Sequence, residues 1–270
     1  MPIMRACRIS LLVLALLPAP AAADPPRPAP GADRLSYSAY VAGLRVFTVR
    51  AEVDVEASRY AVSLAYQTTG LYGALVHSDL HSTVQGRFEG GRPAPERFAS
   101  WGWWHGGERR TLIDYRGGRP EILALVPPNT AERDPVPPAL QRGATEPLSA
   151  VAMLVRQLGD TGRCDGSARL FDGRRLSEIT VHTAGPQLLG RDGRSSFQGT
   201  AMRCDFEGRQ LAGFLRDAGD RARQPQRGSA WLARVLPGAP PLPVRLSFHL
   251  GLIGDVTMYL TEATPARLPD

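Results

Sequence analysis

Apolar and polar side chains alternate one for one along much of this chain, and a period of two belongs to a half-buried β-strand. Phe47, Val49, Ala51, Val53 and Val55 interleave with Thr48, Arg50, Glu52, Asp54 and Glu56. After the short turn Ala57-Ser58-Arg59 the rhythm resumes in Tyr60, Val62, Leu64 and Tyr66, which reads as a hairpin with one wet face. It returns near the C-terminus, where Leu242, Val244, Leu246, Phe248 and Leu250 alternate with Pro243, Arg245, Ser247 and His249. Gly251 to Asp255 then turns the chain into Val256, Met258 and Leu260. Gly117-Gly118, Asp172-Gly173, Asp192-Gly193 and Glu207-Gly208 supply turn signals between these ends. The pattern predicts a mainly β protein: a curved antiparallel sheet or half-open barrel of roughly ten strands.

One stretch changes period. Thr145 can cap a helix, Pro147 suits its first turn, and Leu148, Val151, Ala152, Leu154, Val155 and Leu158 follow helical spacing up to Gly159. A helix so apolar must be covered, so it is expected on the concave side of the sheet. A second helical turn is predicted over Leu71 to Val76. Val126 to Pro138 and Arg216 to Arg227 read as long surface connections.

The N-terminus reads as an export signal. Arg5 and Arg8 precede the apolar run Ile9 to Leu17, and Ala21-Ala22-Ala23 offers a cleavage site after Ala23. That run is too short to span a bilayer core of ~30 Å, so no transmembrane anchor is expected after cleavage and the periplasm is the expected location. Residues 24–34, with Pro25, Pro26, Pro28 and Pro30, read as a flexible leader, and residues 35–264 as a single β domain. Removing Arg5 and Arg8 takes the formal charge from +6 to about +4. The excess is entirely arginine, interleaved with acids, which gives no footprint for nucleic acid. Cys164 and Cys204 are an even pair in a compartment where disulfides persist, and a bond between them is expected.

Several segments taken in order carry a resemblance. Phe171-Asp172-Gly173-Arg174-Arg175, Gly199-Thr200-Ala201-Met202-Arg203-Cys204, Ala212-Gly213-Phe214, Trp231-Leu232 and Leu242-Pro243-Val244-Arg245-Leu246 resemble exported bacterial proteins grouped as domain of unknown function 3108. The likeness covers most of Leu35 to Ala263. Where that family usually carries Asp before Pro-Leu-Ser, this chain has Glu146. The resemblance implies a sheet-dominated exported domain, similar by fold analogy to half-barrels that carry lipoproteins, and it implies no activity.

The residues that bear on chemistry are few. Trp101 and Trp103 share one strand face while Trp104 points with Phe98 to the other. Core packing is the plainer account of these indoles, and the functional one places Trp101 and Trp103 at the rim of an apolar hollow. His77, Asp79 and His81 share a face in an extended segment, but their spacing matches no metal motif. No G-x-S-x-G elbow or phosphate loop occurs, so no cofactor and no catalysis are expected. The function expected is binding of a lipid, amphiphile or lipoprotein acyl chain between sheet and helix, by Trp101, Trp103, Leu148, Val151 and Val155. The alternatives are an envelope module that docks a protein partner and, third, an unrecognised hydrolase.

Overall fold

The computed structural model describes residues 32–104, 106–250 and 254–265. The expected signal peptide, and all of the expected leader but its last residues, lie outside them. Seven strands come first: β1 (Asp33–Val41), β2 (Leu44–Val55), β3 (Arg59–Thr68), β4 (Asp79–Glu89), β5 (Arg92–Trp104), β6 (Gly107–Arg116) and β7 (Arg119–Val126). A short helix, α1 (Gly70–Leu75), sits between β3 and β4. The connection after β7 holds α2 (Pro138–Gln141) and α3 (Pro147–Thr161). Six strands follow: β8 (Gly166–Phe171), β9 (Leu176–Leu189), β10 (Gly199–Ala212), β11 (Gln226–Ala233), β12 (Leu242–Leu250) and β13 (Gly254–Thr264).

All thirteen strands lie in one antiparallel sheet, ordered β7-β6-β5-β4-β3-β2-β1-β13-β12-β11-β10-β9-β8. From β1 in the middle of the sheet the described chain therefore meanders out to the β7 edge, crosses to the β8 edge, and meanders back until β13 meets β1. The mainly β, half-open architecture is as expected, with more strands than the roughly ten predicted. Glu207-Gly208, predicted as a turn, lies inside β10, paired with Arg227 and Gln226 of β11. A glycine that follows an acid signals a turn only when the flanking pattern breaks, and here it does not.

The concave face carries the core. The cross-strand row Val62, Val84, Phe98 and Ile113 is buried throughout. The helix α3 lies in this hollow, with Leu148, Ala152, Val155 and Leu158 buried against β2, β3, β4, β5 and β8. Its N-cap is Glu146 rather than Thr145, whose backbone instead pairs with Leu170 of β8. The Glu146 carboxylate accepts from the N–H groups of Leu148 and Ser149 at 2.7 and 2.6 Å. The helix runs past the expected Gly159 and stops at Gly162, whose positive φ of 69° suits a left-handed C-cap.

Cys164 and Cys204 form a disulfide with an S–S distance of 2.08 Å. It ties the segment just after α3 to β10, so the helix is anchored to the C-terminal meander as well as packed on the N-terminal one.

Candidate functional site

Two structural features meet at one end of the half-barrel, the end marked by Trp104. The first is a clasp that draws the sheet's two edges together. The β8–β9 turn lies inside β6 and β7: a Cβ added to Gly173 would stand 2.7 Å from Thr111 Cγ2 and 3.5 Å from Leu125 Cδ1. Asp172 holds the turn, accepting from the N–H groups of Arg174 and Arg175 at 2.9 and 2.7 Å and from the Arg175 guanidinium at 2.8 Å. Arg174 donates across the gap to the carbonyls of Val126 and Pro127 at 2.5 and 2.8 Å. Arg133 donates to the Gly213 carbonyl at 3.0 Å, and Arg109 to Glu132 at 2.6 Å.

The clasp is an arginine cluster. Arg109, Arg133, Arg174 and Arg175 face Glu132 and Asp172, an excess of two positive charges. Burial, then the Arg175 charge, holds the Arg133 guanidinium below its ordinary range, and burial, then Arg109, does the same to Arg174. Burial alone would raise the Asp172 carboxyl, but the Arg175 charge and the backbone N–H bonds outweigh it and hold it low.

The second feature is an apolar rim. Leu44 follows the β1–β2 turn, Leu71 and Leu75 ride on α1, and Trp103 and Trp104 end β5 beside the start of β4. Leu44, Leu71 and Leu75 are 64, 80 and 86% exposed, far beyond what a folded surface needs. Trp104 turns inward, its ring edge-on to Tyr66 at 6.0 Å between centroids. Tyr66 also lies within electrostatic reach of Arg175, so the aromatic and cationic groups belong to one neighbourhood.

The sequence-predicted site is not assembled as expected. Trp101 and Trp103 stand on the convex face, because Phe98 fixes the even-numbered side of β5 as the core side. Trp101 stacks on His81 with ring centroids 5.6 Å apart and planes 13° from parallel. Trp103 pairs across the ladder with Asp79. Leu148 and Val155 are packed core, whereas Val151 is 38% exposed on the outer side of α3. His81 lies 3.2 Å from Asp79. No trio of metal-ligating side chains occurs among the described residues. Sequence reasoning missed the clasp, although Asp172, Gly173, Arg174 and Gly213 all fall in the segments that carry the family resemblance.

A buried polar group lies at the other end of the hollow. Glu146 is fully buried, and burial pushes its carboxyl up to about 7 against the opposing pull of its three hydrogen bonds at Ser149 and Leu148. The Tyr60 hydroxyl is 2.6 Å from Ser149 Oγ. A carboxyl raised in the folded state keeps its proton after the unfolded chain has lost its own. Stability from this group is therefore complete below about 4.5 and falls as pH rises towards 7. The melting temperature of wild-type protein is expected to drop between pH 5 and pH 8, and Glu146→Gln to flatten that slope. Parallel slopes in calorimetry would refute it.

Comparison with known proteins bears on the fold and the family. A family model described as "Protein of unknown function (DUF3108)" matches residues 36–261. A beta-barrel-like protein of domain of unknown function DUF1849 from Brucella abortus aligns with a TM-score of 0.53 at 12% identity, covering 87% of this chain and 98% of that one. A candidate lipoprotein from Parabacteroides distasonis aligns with a TM-score of 0.33 at 9% identity, over 87% of this chain and 95% of the other. Only the first is near enough to speak for the fold. No curated protein matches the sequence.

Proposed function

This chain belongs to the DUF3108 family of proteins of unknown function, and from its own geometry we propose that it is an exported, non-catalytic binder of an amphiphile with an anionic head. The observation that carries the reading is the set of exposed leucines at the Trp104 end, next to a guanidinium cluster with more positive than negative charge. Apolar side chains standing in water favour an acyl chain by about 25 cal/mol per Å² covered. The adjoining arginines outnumber their acids by two, and that excess charge favours a carboxylate or phosphate head. The face of α3 that meets the sheet is already packed, so the ligand's place is this open end rather than the helix–sheet interface. The disulfide fits an oxidising compartment.

The test is uptake of a fluorescent fatty acid, cis-parinaric acid, by the purified protein. Wild type is expected to bind it saturably. The double substitution Leu71→Asp, Leu75→Asp is expected to weaken binding at least about tenfold, or 1.4 kcal/mol, at an unchanged melting temperature. No uptake by wild type, or equal uptake by both proteins, would reject the reading.

A second reading, docking of an envelope protein, draws on the β7 edge, where Ile122, Leu123 and Val126 are exposed. An unpaired strand edge with apolar side chains invites strand addition. Site-specific crosslinking from Leu123 in cells distinguishes it by trapping one partner.

A further inference from the structure

The convex face of the C-terminal meander carries a groove of about 720 Å³ that has no part in the amphiphile site. It crosses β9 to β13, four inter-strand steps of about 4.8 Å, or roughly 19 Å in all. Its cause is side-chain size. Ser229 and Ser247 are cross-strand partners at its centre, and small hydroxyl side chains there leave a trough between longer neighbours. Arg203 and Asp205 stand on one side, Glu207, Arg227 and His249 on the other.

We propose that this groove binds a neutral oligosaccharide. Every arginine in it is already neutralised: Arg203 bonds Asp205 at 2.7 Å, and Arg227 bonds Glu207 at 2.7 Å. His249 bonds Asp255 at 2.9 Å, and Ser229 donates to Asp205 at 2.6 Å. Counting Arg203 and Arg227 against Asp205, Glu207 and Asp255, the lining has two positive charges to three negative. It therefore offers no net attraction to an anionic polymer or lipid head. What it offers is guanidinium donors beside carboxylate acceptors, repeated along an extended trough. A sugar hydroxyl both donates and accepts, so each such pair suits it, and a ligand without charge leaves the existing ion pairs in place. Phe206 and Phe248 flank Gly228 on the opposite, concave face, and the aromatic side chain on the groove's own face is Trp231.

The experiment is titration of wild-type protein with maltohexaose, cellohexaose and chitohexaose, followed by calorimetry and by amide shifts in NMR spectra. At least one of them is expected to bind and to shift amides of β10 to β12. Ser247→Arg and Ser229→Tyr fill the trough from the solvent face without entering the core. Each is expected to weaken binding at least about tenfold with the melting temperature and the uptake of cis-parinaric acid unchanged. Failure of all three sugars, or equal binding by the filled variants, overturns the proposal, as does a groove that takes only heparin or an extended peptide. The fatty-acid measurement is separate, so either proposal can fail without the other.

Discussion

Gly213→Ala is expected to lower the melting temperature by roughly 10 °C, the shift that about 3 to 5 kcal/mol produces in a domain of this size. Gly213 has a φ of 76°, and a Cβ there would lie 2.1 Å from the Arg174 carbonyl oxygen and 2.9 Å from the Arg175 Cα. The left-handed backbone alone costs a residue with a side chain about 1 to 2 kcal/mol. The collision adds more, because both partners are backbone and cannot swing aside. The loss should be local before it is global. Arg174 and Arg133 are displaced together, and hydrogen exchange at Val126 and Pro127's neighbours should rise ahead of exchange in β2 and β3. Thr200→Ala, at an exposed position of β10, the strand that Gly213 follows, is the control expected to change little. A melting temperature within about 2 °C of wild type would show that the seam is held by something other than this close approach.

Removing the disulfide is the second large effect. A bond closing a separation of 40 residues restrains the unfolded chain by about 4 kcal/mol on the chain-entropy model. Cys204 sits in the ladder of β10, opposite Thr183 and Ala230, whereas Cys164 lies between α3 and β8. Cys164 donates its N–H to Thr183 Oγ1 at 2.9 Å, and Gln157 of α3 donates to the Asp165 carbonyl at 2.7 Å. The double substitution Cys164→Ala, Cys204→Ala should therefore melt roughly 10 °C lower, and reductant should lower wild type to the same point while leaving the variant unmoved. Insensitivity of the wild type to reductant would contradict the account.

How much of this was legible beforehand follows from which interactions are local. Alternation along β2, β3, β12 and β13 is a property of adjacent residues, so the strands, their turns and the open curved sheet could be read directly. The same holds for α3, whose spacing is visible within fifteen residues, though its cap is Glu146 and not Thr145, because a glutamate there needs a buried pocket that no local pattern reveals. The indoles show the limit. Parity along β5 separates Trp101 and Trp103 from Trp104, but only the neighbouring strands decide which side is inward, and Phe98 packed with Val84 and Ile113 decides it. The clasp joins residues far apart in sequence, Arg174 with Val126 at 48 positions and Arg133 with Gly213 at 80, and no spacing rule announces such pairs. The groove is harder still. Its serines and ion pairs look like an ordinary wet strand face until five strands are laid side by side.

The pairing of β1 with β13 also sets the order of events in folding. Arg34 lies opposite Thr264 in the middle of the sheet, so the two meanders can each zip up from neighbouring hairpins, yet the joint between them awaits the final strand. Contacts that span more than two hundred residues are the slow ones to form. Until that joint closes, the flanks of β1 and β13 remain bare edges, and a chain stalled there is the species most prone to pair with its own copies.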